Sequence, residues 1–455
     1  MSNTGDTAWM LASSALVLLM TPGLALFYGG MVRSKSVLNM IMMSMSAMGV
    51  VGVLWVLYGY SEAFGNDVGY GLIGNLAEHA GLSGLYETKP AADGSHVLTP
   101  IVGTIPATVY VAFQAMFAII TVALVSGAVA SRLRFGPWLA FAALWATVVY
   151  FPVAHWVFSA DKVSAPVGGW IVNRLKAIDF AGGTAVHIDA GAAALALCLV
   201  LGKRRGWPRE ATRPHNLPLV MLGAGLLWFG WFGFNAGSAL GANGVAGITF
   251  INTTVATCTA MLAWLLVERI RDGRPTSLGA ASGVVAGLVA ITPSCSSVSP
   301  GGAIAVGAIA GVACALAVGI KFRFGFDDSL DVVGVHLVGG LAGTLAVGLL
   351  ATSLAPAGVN GLFYGGGINQ LWRQAVAAFS VMAFSFVGAF LIALVLKHTI
   401  GLRVDGDAER TGIDETEHAE AGYELSVIFT GSGPSTNAAA VLPTGKVPAS
   451  AGQEG

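Results

Sequence analysis

Long apolar runs separated by short polar segments make up most of this chain. A helix that crosses a lipid bilayer needs about 20 mostly apolar residues, because the hydrocarbon core is about 30 Å thick and each helical residue adds about 1.5 Å. Eleven runs suit this requirement, of which the eighth is short and ends at Pro293. The pattern therefore predicts an all-α, polytopic membrane protein with eleven transmembrane helices. The runs are residues 8–32, 37–60, 102–130, 138–158, 181–202, 217–240, 248–268, 278–293, 301–320, 332–353 and 371–400.

The composition agrees with a chain that is surrounded by lipid. Of the 455 residues, 55% are hydrophobic and 10% are charged, whereas roughly 25% are charged in soluble proteins. A water-soluble globule is therefore excluded. The net charge of −1, with no basic patch, also excludes nucleic-acid binding. The four cysteines lack the spacing of a metal site, and no cofactor is predicted.

Basic residues are distributed unevenly between alternate loops. If the N-terminus lies outside, the cytoplasmic loops hold sixteen Lys and Arg residues, and the external loops hold only Lys89, Lys162, Arg174, Lys176 and Arg373. The positive-inside rule then predicts an external N-terminus and a cytoplasmic C-terminus in the cell membrane. The first run lacks a basic segment before it and a cleavage site near its end, so it is expected to be a retained helix and not a signal peptide.

The chain is predicted to divide after residue 403 into a helical domain, residues 1–403, and a cytosolic tail, residues 404–455. The segment 404–425 is rich in acidic residues, which is typical either of a solvating appendage or of a docking segment for a cytosolic partner. Residues 426–455 are rich in Ser, Gly, Ala and Pro and are predicted to be disordered.

Two histidines mark an internal repeat. Residues 186–191 in the fifth run (VHIDAG) are similar to residues 335–340 in the tenth run (VHLVGG), and Asp179 and Asp328 precede the two histidines by eight residues each. Because each half contains an odd number of spans, the halves have opposite orientations in the membrane. This predicts an inverted five-helix repeat, spans 1–5 and 6–10, followed by a long eleventh helix.

The repeat-equivalent histidines, His187 and His336, indicate a functional site within the membrane. Ionisable groups are costly there and usually face a cavity or each other, so two at equivalent positions favour a pore-lining or ligand-binding role over simple packing. Straight helices would leave the pair roughly 10 Å or more apart along the membrane normal. Either the segments before the two helices dip into the membrane, or the rings do not meet. A membrane protein with these histidines as axial haem ligands is a remote alternative.

Five motifs occur in order along residues 8–424: FYGG at 27–30, FQAMF at 113–117, DFAGGTAVH at 179–187, WFGFNAGS at 231–238 and DVVGVH at 331–336. Together they resemble the Amt/Mep/Rh family of ammonium transporters, and in particular its bacterial Amt type. The resemblance implies a homotrimer with one pore through each subunit. It also implies that segment 404–425 is regulatory and that a PII-type nitrogen regulatory protein is a possible partner at the cytosolic face.

The resemblance also implies the roles of individual residues. Phe158 stands where the bacterial pattern has tryptophan, and because Phe is a weaker cation–π partner, weaker outer capture with retained transport is expected. Asp189 stands where asparagine is expected, and its role is open. The implied residues are Phe117, Phe158, Ser238 and Asp179 at the outer NH4+ site, Phe117 and Phe234 at a stacked gate, His187 and His336 as a twin-histidine pair, and Phe27, Tyr28 and Trp231 along the pore.

The physical chemistry of ammonium suits these residue types. A bare cation in a dry apolar pore loses its water, which costs tens of kcal/mol by idealised estimates. Ammonium can avoid this cost by losing a proton and crossing as neutral NH3. The predicted function is therefore transport in which NH4+ is captured, deprotonated and passed as NH3, while the histidines relay the proton. A passive ammonia channel and an ammonium sensor are the alternatives, and no enzymatic activity is predicted.

Overall fold

The computed structural model describes residues 2–90, 94, 96–98, 100–210 and 213–423. Eleven apolar helical segments lie in these residues at the predicted places, and two short helices follow them. The apolar segments are α1 (Thr4–Met31), α2 (Ser34–Phe64), α3 (Ala107–Val129), α4 (Phe135–Phe158), α5 (Gly183–Leu201), α6 (Leu217–Gly237), α7 (Gly244–Arg271), α8 (Ser277–Ile291), α9 (Pro300–Phe324), α10 (Val333–Leu350) and α11 (Asn369–Thr399). The short ones are α12 (Gly406–Thr411) and α13 (Ile413–His418).

The predicted all-α membrane architecture is confirmed. Ten of the described helices are long and apolar enough to cross a membrane, and α8, with 15 residues, is the shorter eighth segment. Side-chain caps set several helix starts, because they satisfy N–H groups that have no partner within the helix. Asn216, Thr276 and Ser299 accept such hydrogen bonds at the starts of α6, α8 and α9.

The centre of the bundle is formed by α3 and α5, the two most deeply buried spans, whereas α11 is the least buried. Helices α1 and α6, the first of each half, pack extensively against each other, and α7 packs against α8 and α9. This pairing of equivalent helices is the arrangement expected of the inverted repeat. Two small antiparallel hairpins, Thr88–Pro90 with His96–Leu98 and Ile101–Val102 with Ile105–Pro106, lie between α2 and α3.

Close contact between α5 and α10 depends on one glycine in each helix, four residues after the histidine. A Cβ added to Gly191 would lie 2.5 Å from the backbone nitrogen of Leu337, and one added to Gly340 would lie 3.0 Å from the carbonyl oxygen of Gly183. Small residues allow membrane helices to approach closely. The repeat therefore places these glycines where the two histidine-bearing helices cross.

The described part of the tail packs against the helical domain. Val404 donates a backbone hydrogen bond to the carbonyl of Arg132, at 3.1 Å. Asp414 accepts hydrogen bonds from the N–H groups of Leu38 and Asn39 at the start of α2, at 3.0 and 2.8 Å. Burial raises the pKa of the Asp414 carboxyl, and these two hydrogen bonds partly offset that effect. The whole of the segment predicted to be disordered, 426–455, and the last two residues of the acidic segment, 424 and 425, lie outside the described residues.

Candidate functional site

Two aspartates set the starts of the histidine-bearing helices. The Asp179 carboxylate accepts hydrogen bonds from the four backbone N–H groups of residues 182–185, at 2.7 to 3.1 Å. In the other half, Asp328 accepts from Val332 and Val333, at 3.0 and 2.7 Å. Each helix then begins with a π-helical turn that contains its histidine, Gly183–Ile188 in α5 and Val333–Leu337 in α10. The chain before each turn is not helical, so each histidine lies in the first turn of its helix.

The two imidazole rings meet in the middle of the bundle. Nδ1 of His187 lies 3.3 Å from Nδ1 of His336, and the ring planes are inclined by 31°. Both side chains are almost fully buried. Of the two alternatives left by the sequence, the one in which the rings do not meet is wrong. Because both helices begin only a few residues before their histidines, the rings are not held apart by the roughly 10 Å or more that straight, full-length helices would impose.

A shared Nδ1–Nδ1 hydrogen bond makes the two rings chemically different. One Nδ1 must donate and the other must accept, so for neutral rings one Nε2 is a bare acceptor and the other carries the proton. Nε2 of His187 is buried and has no hydrogen-bond partner among the described residues. The pair therefore offers one donor and one acceptor to a small guest.

The cavity beside the histidines is narrow and apolar. Its volume is about 10 Å³, which is near the minimum for a single water molecule. Phe27, Trp231 and Phe234 form part of its wall. The Trp231 ring stacks on His187 with centroids 5.4 Å apart, and its indole N–H donates to the Thr292 hydroxyl at 2.9 Å.

Two stacked phenylalanines separate this cavity from a larger one. The rings of Phe117 and Phe234 are 4.2 Å apart and inclined by 22°. Both side chains are buried, with exposures of 1% and 0%. Phe117 lines the larger cavity and Phe234 lines the cavity beside the histidines, so a solute that passes directly from one to the other displaces at least one of these rings.

A larger cavity of about 600 Å³, which we call the outer vestibule, lies on the other side of the stacked rings. Phe117, Phe158, Asp179 and Ser238 line it. The rings of Phe158 and Phe117 are in edge-to-face contact, with their planes inclined by 79°. The Ser238 hydroxyl donates to the carbonyl of Phe234 at 2.8 Å, which leaves its oxygen free to accept from a cation.

On the side of the histidines away from the outer vestibule, a second cavity of about 10 Å³ is lined by Phe27, Tyr28, Asp331 and His336. The Tyr28 hydroxyl donates to the carbonyl of Leu124 at 3.1 Å. Lys321 forms an ion pair with Asp331 at 2.6 Å. The two small cavities share Phe27 and His336, so together with the outer vestibule they mark one path through the bundle.

The tertiary structure brings every residue proposed from the sequence to this path. Asp179 contributes mainly through the backbone it holds, since both carboxylate oxygens accept backbone N–H groups. Asp189 is fully buried but does not line the cavities beside the histidines, and its carboxyl oxygens have no hydrogen-bond partner among the described residues. Two further residues of the path were not predicted from the sequence: Thr292, whose hydroxyl accepts the Trp231 N–H, and Asp331, which lines the second small cavity. Asp331 is the first residue of the DVVGVH motif, and its place in that motif is the feature of the sequence that could have identified it.

The geometry of the histidines is unsuited to a haem. Axial ligands lie on opposite faces of the macrocycle with the iron between them. Here the two nitrogens are at hydrogen-bond distance, and the adjoining cavity has room for about one water-sized molecule. The remote haem alternative is therefore wrong.

Comparisons with known proteins agree over nearly the whole chain. A model of the Ammonium Transporter Family matches residues 8–423. An ammonium transporter of Mycobacterium tuberculosis is 69% identical over 434 residues, which cover 93% of this chain and 91% of that protein. The crystal structure of Saccharomyces cerevisiae Mep2 has a TM-score of 0.78 at 33% identity, over 89% of this chain and 88% of that one. A solved sensor Amt protein has a TM-score of 0.81 at 29% identity, over 91% and 98%.

Proposed function

Because this chain belongs to the Ammonium Transporter Family, we propose that it captures NH4+ in the outer vestibule, removes a proton and passes NH3 along the twin histidines to the cytosol. Members of this family move a solute across a membrane and are not enzymes. The observation that supports the mechanism best is the hydrogen-bonded pair of His187 and His336 in a cavity for one small molecule. In this proposal the N-terminus is external, the C-terminus is cytosolic and the protein is a homotrimer.

Capture begins at the aromatic wall and the serine. A cation beside Phe117 and Phe158 gains about 0.5–2 kcal/mol from cation–π attraction, and the Ser238 oxygen accepts one of its N–H groups. The attraction is modest because phenylalanine, and not tryptophan, forms the wall at position 158. The site therefore concentrates NH4+ weakly, which suits a step that must release its substrate.

Selection follows at the stacked rings. Potassium would have to leave its water behind to enter the narrow apolar cavity and would find no charge there to replace it. NH4+ can instead give its extra proton to the bare Nε2 of the histidine pair, which accepts it as a base, and continue as NH3. Beyond Phe234, the acceptor Nε2 of the pair takes an N–H of NH3, and the donor Nε2–H binds its lone pair. The shared Nδ1–Nδ1 hydrogen bond then offers the released proton a route from one ring to the other.

The proposal is tested by ammonium-pulse currents on solid-supported membranes with purified protein. We expect a transient inward current, because the proton crosses together with NH3. If ammonia permeates and no current is seen, the protein is a passive ammonia channel. A potassium pulse of the same concentration is the control, and we expect it to give no current.

Regulation through the tail is a second proposed role. The contacts of Asp414 with the start of α2, and of the Glu409 carboxylate with the N–H of Arg205 at 2.6 Å, hold the tail on the helical domain. A change in how the tail docks would therefore alter the hydrogen bonds at the start of α2. We propose that a PII-type nitrogen regulatory protein binds at this face, and that the protein can thereby also report ammonium supply.

We expect the PII-type protein to co-purify with the full-length transporter, and Asp414→Ala to reduce the recovered partner about tenfold, since the substitution removes the acceptor for two backbone N–H groups. Glu420→Gln, at an exposed position of the same tail, is the matched control. The measurement is a pull-down over a range of ATP and 2-oxoglutarate concentrations. Failure to co-purify under all of them would contradict the partnership.

A further inference from the structure

Two basic side chains line the outer vestibule, although the proposed substrate that enters it is a cation. Lys176 and Arg373 belong to its wall. Among the described residues, neither has a carboxylate partner within ion-pair distance. Asp179 is the one carboxylate in the described part of the wall, and its oxygens accept four backbone N–H groups. The charged side chains of the wall therefore sum to one net positive charge, with both positive charges unpaired.

Glutamine side chains hold the two basic residues on the same side of the vestibule. Gln370 donates from its amide to the carbonyl of Lys176 at 3.3 Å. Gln374 accepts from the N–H of Ile178 at 2.6 Å and donates to the carbonyl of the same residue at 2.7 Å. Arg373 lies between these two glutamines in the first turns of α11. The segment that carries Lys176 is thus fastened to the helix that carries Arg373.

The backbone at Lys176 also has an unusual conformation. Its φ of 59° is in the left-handed region and ends the π-helical turn Ile171–Leu175. A non-glycine residue in that region is uncommon and is held there by its surroundings. The position of this lysine is therefore determined by the fold of the vestibule wall.

We propose that Lys176 and Arg373 form a positively charged rim, which lowers the occupancy of the outer vestibule by cations and favours NH3 over NH4+ within it. This inference rests on the proposed function, because it concerns the affinity of the same vestibule. The rim opposes the attraction of Phe117, Phe158 and Ser238. The rim weakens the binding of NH4+ in the vestibule and also favours the loss of its proton, because a positive neighbour disfavours the charged form of a guest.

The effect of such a rim has a characteristic dependence on salt. Charges about 10 Å apart interact weakly in bulk water and several times more strongly near a protein surface. Ions screen this interaction, with a Debye length of about 8 Å at physiological ionic strength and about 30 Å at 0.01 M. Added salt weakens attraction in a vestibule that attracts cations, and it weakens repulsion in one that repels them. The rim therefore predicts that salt lowers the KM for ammonium.

The test is the KM and the maximal current of the full-length protein in ammonium-pulse measurements, at low and at physiological ionic strength. For the double variant Lys176→Gln/Arg373→Gln we expect a KM about threefold to tenfold lower than wild type at low ionic strength, with no gain in maximal current. We expect the KM of the wild type to fall with salt and that of the double variant to respond little. The charge-conserving variant Lys176→Arg/Arg373→Lys should behave as wild type, which separates charge from packing.

Arg174→Gln is the matched control, because Arg174 is an exposed basic residue of the same segment that does not line the vestibule. An equal fall in KM in this control, or the same KM and salt response in the wild type and the double variant, would overturn the rim. A wild type that gives no ammonium current would instead overturn the proposed function, and so the two failures are distinguishable.

Discussion

Replacement of His187 or His336 by alanine is expected to lower the ammonium current about 100-fold, as is usual when a group that transfers a proton is removed. Either substitution leaves the remaining Nδ1 without its partner and breaks the proposed route for the proton. It also enlarges a cavity of about 10 Å³ by most of an imidazole ring. Water can then enter, so we further expect selectivity against potassium to decrease.

Solid-supported membrane recordings with ammonium and potassium pulses measure both effects in the same preparation. His398→Ala is the matched control, because His398 is an exposed histidine near the end of α11, away from the pore cavities. The reconstituted variants should show the same thermal unfolding as wild type to within a few degrees if the loss is functional. Wild-type currents in both pore variants would refute the role assigned to the pair.

Replacement of Asp179 by alanine is the second change for which we expect a large effect. The carboxylate accepts four backbone N–H groups that begin the helix bearing His187. A buried N–H without a partner costs about 1–3 kcal/mol, so we expect Asp179→Ala to destabilise the protein by roughly 3 kcal/mol or more and to displace the histidine. Transport should be lost together with stability.

Asp179→Asn should have an intermediate effect, because its single amide oxygen can still accept from part of the turn. Thermal unfolding in detergent and ammonium currents in proteoliposomes are the measurements. Glu210→Gln, at an exposed acidic position, controls for the loss of a negative charge. If Asp179→Ala keeps both the stability and the current of the wild type, the carboxylate does not support the pore in the way proposed here.

The geometry also explains why the two aspartates occur eight residues before the histidines. In each half the carboxylate binds the first N–H groups of a helix, and the histidine follows within that helix's first turn. The eight-residue spacing therefore arises because the aspartate caps the helix and the histidine lies in the first turn of the same helix. Its appearance in both halves follows from the inverted repeat, which places two such starts opposite each other.

The hydrophobic pattern was sufficient to predict the helices, since burial of about 20 apolar residues in lipid is a property of each segment by itself. The short eighth helix and the repeat between residues 186–191 and 335–340 were also visible in the sequence, because each is a property of short stretches of residues and not of how they pack. The family resemblance then supplied candidate roles for the aromatic and serine residues. None of these inferences required knowledge of which segments pack together.

Contacts between distant segments were decided only by the tertiary structure. Whether His187 meets His336 depends on where the two helices begin. Asp179 and Asp328 bind the first N–H groups of these helices, so that each helix begins only a few residues before its histidine and the two rings come into contact. Lys176 and Arg373 are far apart in sequence and appeared there only as two external basic residues. Their position on one vestibule wall comes from glutamine contacts between a loop and α11. Local pattern thus determined what each segment is, whereas the potential and the width of the pore depend on distances that arise when the segments pack.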